Sequence, residues 1–105
     1  MNEIPRLSNK EFAALELLIN GGEMYGLEMV KASDGVLKRG TIYVMLTRME
    51  EKGYVTSRHD KEVGMAGMPR RKFNITGLGQ RAYRATQAAA AIFAGAVVFM
   101  PAVFP

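Results

Sequence analysis

Three amphipathic helical segments, then two short alternating runs, then a long trailing helix predict an α+β, mostly α fold. In that order they make a winged helix-turn-helix: three helices, a two-stranded β wing and a C-terminal helix for dimerisation. Three observations carry the prediction. Apolar residues recur every three and four positions through the first half. The period changes to two in a pair of runs rich in β-branched and aromatic residues. Positive charge gathers in the same stretch as those runs.

The elements follow one by one. Ser8 and Glu11 have capping-box spacing, and Phe12, Leu15, Leu18 and Ile19 repeat behind them. A helix is expected from about Asn9 to Ile19, stopped by Gly21 and Gly22. A second, shorter helix is expected from about Met24 to Ala32, with Met24, Leu27 and Val30 inward and Gly26 as a close-packing position. Asp34-Gly35 is a turn signal. The third helix spans about Lys38 to Lys52, buries Ile42, Met45, Leu46 and Met49, and ends at Gly53. "YVTSRH" then reads as a strand over about Val55 to His59. "RKFNI" reads as another, with Phe73 and Ile75 on one face and Lys72 and Asn74 on the other. "DKEVGMAGMPR" between them is too long for a tight turn and reads as a mobile hairpin tip. Thr76 can cap the last helix, which Pro101 closes.

The chain has 105 residues, which suggests one folding unit whose small core a partner subunit would supplement. With 49% hydrophobic and 23% charged residues it is too apolar to be disordered. Cysteine is absent, so disulfides and thiolate metal sites are excluded. The N-terminal stretch lacks the layout of a signal peptide, and a cytoplasmic protein is expected. The net charge of +4 is unevenly spread. Residues 1–35 carry three basic and six acidic groups, residues 36–84 eleven and four, and residues 85–105 none. Clustered positive charge suggests an anionic partner; a solvated basic face is the alternative.

At this level of detail the chain resembles the PadR family of transcription regulators. "LSNKEFAALELLINGGEMYGLEMV" resembles the family's first two helices. "GTIYVMLTRMEEKGYV" resembles its recognition helix and exit, and "GMPRRKFNITGLGQRAY" its second wing strand and the turn into the last helix. The resemblance implies a dimeric winged-helix fold and a regulator, usually a repressor. Since some members bind small aromatic or multidrug-like ligands, it also implies a small hydrophobic or aromatic effector as a candidate partner. There are two departures. The family commonly has a proline after the tyrosine of "GTIY", where this chain has Val44, which suits a helix interior better. Only 29 residues follow Thr76, as in the short subgroup.

The third helix supplies the candidate contacts to double-stranded DNA. An α-helix fits the major groove, and its first half usually meets the base edges. Lys38, Arg39 and Thr41 stand at that start, where Arg or Lys can donate to guanine acceptors. Tyr43 and Thr47 offer hydroxyls to phosphate, Val44 can touch a thymine methyl, and Arg48 lies on the flank. Tyr43 has a second reading, packing beside the wing or the partner subunit. Arg58, Lys61, Arg70, Arg71 and Lys72 make the hairpin basic, which suits a phosphate backbone or the minor groove. His59 is the one histidine, too little for a metal site. No catalytic constellation appears, "GLG" at Gly77–Gly79 lacks dinucleotide-loop spacing, and no cofactor is expected.

Residues 88–105 carry no charge. A helix apolar all round must be buried somewhere. A homodimer interface is the first reading, ahead of membrane association and of a tail without fixed structure; a membrane is not expected as a partner. The expected division is a DNA-binding unit over 1–76 and an apolar, dimerising helix over 77–105. A regulator of transcription is the leading function, with a winged-helix protein-interaction module as the alternative.

Overall fold

A computed structural model describes the backbone of residues 7–65 and 68–98 and the side chains of residues 7–59 and 71–91. The expected capping box opens helix α1 (Asn9–Gly21). The Ser8 hydroxyl accepts from the Glu11 amide at 3.1 Å, and the Glu11 carboxylate accepts from the Ser8 amide at 2.9 Å. Ala14, Leu15 and Leu18 are its buried stripe. Gly22, at φ 78°, ends it by donating to the Leu18 carbonyl.

The next segment corrects the sequence reading. Met24 and Tyr25 begin no helix; they form a short strand, β1 (Met24–Tyr25), and helix α2 (Gly26–Ala32) starts after them. The extended backbone of Tyr25 donates its amide to the Glu28 carboxylate at 2.8 Å, which fixes the first turn of α2 at Gly26. The buried face of α2 is Gly26 and Met29, whereas Met24, Leu27 and Val30 are only half-buried. The face predicted to point inward is therefore rotated.

The turn after α2 is tied by one hydroxyl. Ser33 donates to the Val30 carbonyl at 2.8 Å and accepts from the Leu37 amide at 2.9 Å. Asp34 at φ 55° and Gly35 at φ 94° take the left-handed backbone that reverses the chain. Leu37, 2% exposed, pins the far side into the core. Residues 39–41 form a turn, and helix α3 (Ile42–Glu51) begins later than the expected Lys38, with Thr41 as N-cap. Ile42, Leu46 and Met49 are buried as the period requires, and Met45 is half-buried. Gly53, at φ 87°, follows the helix.

Strands β2 (Val55–Met65) and β3 (Met68–Ile75) run longer than the sequence suggested. Most of the segment read as a hairpin tip is strand, and residues 66–67 lie outside the described part. The sheet has three antiparallel strands in the order β1-β3-β2, not two. Met24 pairs with Phe73 and Tyr25 with Lys72, on the edge of β3 away from β2. Opposite, Val55 faces Ile75, Ser57 faces Phe73 and His59 faces Arg71. Phe73 and Val55 are buried on the side that meets the helices.

Helix α4 (Gly77–Val98) is anchored at its start. Thr76 caps it: its hydroxyl accepts from the Gly79 amide at 2.9 Å and donates to the Gly53 carbonyl at 2.6 Å, with the Tyr54 carbonyl at 3.0 Å. A Cβ on Gly79 would collide with the Tyr54 carbonyl and come within 2.8 Å of Ile75, so only glycine lets α4 sit this close. Thr76 and Gly79 together thus join α4 to the turn between α3 and β2. One turn on, Ala82 and Tyr83 are buried, and the Tyr83 ring stacks on Phe12 of α1 at 4.5 Å and 13°. Burial, and then the Glu16 carboxylate, raise the Tyr83 hydroxyl above its ordinary pKa. Ala88, Ala89, Ala90 and Ala91 are exposed. The closure at Pro101 lies outside the described residues.

Candidate nucleic-acid interface

Helix α3 has two faces, and the core decides which is which. With Ile42, Leu46 and Met49 inside, Tyr43, Val44, Thr47 and Arg48 are left outside. Val44 is 55% exposed and Tyr43 42%, an unusual display for apolar groups on a helix with a full core stripe. Lys38 and Arg39 are exposed just before the helix, and the Thr41 side chain bonds to no backbone amide. Among the described residues, Lys38, Arg39 and Arg48 enter no ion pair. All seven candidates from the third helix and its approach are exposed, and Tyr43, Val44, Thr47 and Arg48 line one shallow surface.

Tyr43 also packs against its neighbour helix. Its ring lies over Gly26, where a Cβ would stand 2.8 Å from the ring edge. The ring stays partly open to solvent while its inner edge fixes the spacing of α2 and α3. The packing reading of Tyr43 finds its partner in α2, not in the wing.

The wing residues divide. Arg58 makes a two-point ion pair with Glu23, at 2.8 and 3.0 Å. Arg71 donates to the Glu50 carboxylate at 2.6 Å and to the Ser57 hydroxyl at 2.9 Å, and lies 5.0 Å from the centre of the Phe73 ring. Lys72 sits 5.0 Å from the centre of the Tyr25 ring. The side chains of Lys61 and Arg70 lie outside the described residues. A third ion pair joins Lys52 to Glu11 at 3.3 Å. Among the described residues, two of these three pairs join an acid of residues 1–35 to a base of residues 36–84, so part of the charge skew is neutralised within the fold. The residues missed by sequence reasoning are Glu50, Ser57, Glu23 and Tyr25. Each acts across the sheet or between elements, where periodicity is silent.

Residues 14–85 match the Transcriptional regulator PadR-like family. The chain belongs to that family. It regulates transcription by family and is not an enzyme. Among curated proteins none matches. Solved structures agree. A PadR family transcription regulator from hypervirulent Clostridium difficile R20291 is 26% identical, with TM-score 0.68, covering 86% of this chain and 94% of that one. A transcriptional regulator from Clostridium thermocellum is 25% identical, with TM-score 0.68 and coverage of 88% and 95%. YusO from Bacillus subtilis, at 18% identity and TM-score 0.73, shares the fold; 89% of this PadR-like chain matches 62% of YusO. Among the described residues no helix is long and apolar enough to cross a membrane.

Proposed function

We propose that this PadR-like chain is a sequence-specific, DNA-binding repressor that acts in the cytoplasm as a homodimer. The observation that carries the reading is the outward face of α3. Thr41, Tyr43, Val44, Thr47 and Arg48 are exposed, with Lys38 and Arg39 before them and, among the described residues, no acid paired to the cations. Donors, hydroxyls and one exposed methyl-bearing side chain match the acceptors and thymine methyls of a major groove. Lys72, with Arg70 and Lys61 further along the hairpin, supplies backbone contacts that position the protein without reading sequence. In this reading residues up to 76 carry the DNA contacts, the first turns of α4 brace them through Tyr83 and Phe12, and the rest of the stretch 77–105 pairs two copies. Two reading helices about 34–36 Å apart would then address a two-fold operator. A small aromatic or hydrophobic effector would act by changing that spacing.

A gel shift against DNA from the chain's own upstream region, at several salt concentrations, tests this. A tight complex that survives non-cognate competitor is expected. Binding that ignores sequence, or no binding, would favour a protein-interaction module instead.

A further inference from the structure

We infer that Glu50 and Arg71 form a latch that sets how well this regulator separates its operator from other DNA. Glu50 is the positioning residue. It fixes α3 to the wing and keeps the Arg71 guanidinium away from the DNA backbone. The inference rests on the DNA-binding reading above and adds a source of specificity outside the reading face.

The geometry is a closed three-membered network. Arg71 donates to one Glu50 oxygen at 2.6 Å; Ser57 donates to the other at 2.9 Å; Arg71 also donates to the Ser57 hydroxyl at 2.9 Å. The Arg71 side chain is 29% exposed and that of Glu50 34%, so the pair is partly withdrawn from water. Charge-assisted bonds in such a setting are stronger than exposed ones. Below Arg71 lies Phe73, fully buried in the core and two residues along the same strand face. The latch thus continues the core outward. It joins the C-terminal end of α3 to diagonal positions on β2 and β3.

Its place explains its effect. The reading half of α3 lies at the other end of the helix, so a small tilt at Glu50 displaces Thr41 and Arg39. Base-edge contacts tolerate little displacement, while backbone contacts tolerate more. Freeing Arg71 adds a mobile cation beside a basic wing, and such a cation binds any phosphate. Loss of the latch therefore weakens reading and strengthens indiscriminate binding together.

The test compares the full-length wild type with Glu50→Ala, Glu50→Gln and Arg71→Ala, on operator and on random duplex of equal length. Glu50→Ala should raise random-duplex affinity and steepen its log affinity against log salt slope by about one. The operator-to-random ratio should fall about tenfold, the scale of coupling inside one bonded network. Arg71→Ala should lower the ratio with an unchanged slope, because no phosphate contact is lost. Glu50→Gln, which keeps an acceptor but no charge, should fall between; it is also the variant to use if Glu50→Ala melts early. An unchanged ratio in all three variants, with wild-type binding intact, would overturn the latch alone. So would a slope that flattens by about one in Arg71→Ala, which would make Arg71 a direct phosphate contact. If the wild type binds no DNA, the regulator reading falls and the latch falls with it.

Discussion

The Tyr43 ring rests on Gly26, the first residue of α2, with no room between them for a methyl group. The contact belongs to the helix-turn-helix itself. It lets an exposed aromatic on the outward face of α3 share in holding two helices together. Gly26→Ala should separate those roles. The atoms that a Cβ meets are the outer ring atoms and hydroxyl of Tyr43, which is 42% exposed and can swing away. Thermal unfolding should therefore shift by only a few degrees, while operator affinity falls about tenfold, the loss of roughly one good polar contact. A protein that melts much earlier, with binding per folded molecule unchanged, would show that the contact is only structural.

Gly79→Ala is the opposite case. Here the obstacle is the backbone of Tyr54, held in place by the Thr76 amide and hydroxyl. No side chain can rotate to make space. The cost should reach or exceed the upper end of the usual overpacking range, about 1–3 kcal/mol. Denaturant titration should show a lower midpoint with an unchanged slope. A midpoint equal to wild type would mean that α4 can lift from the α3–β2 turn at little cost.

Thr76→Val removes the hydroxyl that serves both α4 and the Gly53 carbonyl. Loss of an N-cap costs about 1 kcal/mol, and an unsatisfied half-buried carbonyl adds a comparable amount. Thr76→Ser should recover most of the roughly 2 kcal/mol so lost. If serine is no better than valine, the methyl group and not the hydroxyl is the important part.

Arg39→Ala addresses reading. Arg39 is exposed, unpaired among the described residues and next to the start of α3. A base-edge contact gives about 1–3 kcal/mol of discrimination. Operator binding should weaken by that amount, and random binding much less. Equal losses on both would reduce Arg39 to a phosphate contact.

What could be read from the chain beforehand follows a physical division. Local rules showed the Ser8–Glu11 box, the buried stripe of α3, the Phe73 and Ile75 face and the Thr76 cap, because each is set by neighbours within a few positions. Met24 and Tyr25 were misread because Met24, Leu27 and Val30 continue a helical period. Only the distant backbone of Phe73 and Lys72 makes them a strand. The start of α3 was placed early because Lys38 to Thr41 contain no breaker stronger than Gly40. A turn closed on the Lys38 carbonyl by the Thr41 and Ile42 amides occupies that stretch instead, just after the buried Leu37. Arg71 looked like one more cation of a basic hairpin. Its partner, 21 residues away on another element, leaves no periodic trace.

The last prediction concerns α4. Its first turns belong to the body of the protein: Ala82 and Tyr83 are buried, and Tyr83 stacks on Phe12. From Gln87 to Ala91 every residue is exposed, four of them alanines. Alanine gives a smooth helix face that another helix can approach closely, and an exposed apolar helix gains from being covered. Pairing with a second copy would meet that need and set two reading helices at a fixed distance. Cutting after Gln87 keeps the Phe12–Tyr83 stack and the Thr86 bond to the Ala82 carbonyl, so the remaining body should fold. The fragment should scatter light as a monomer, bind half-sites weakly and lose its preference for two-fold DNA. A fragment that remains a dimer would place the interface elsewhere, with α1 and the first turns of α4 as the next surface to test. A full chain that sediments with lipid vesicles, while the fragment does not, would assign the apolar segment to a membrane surface.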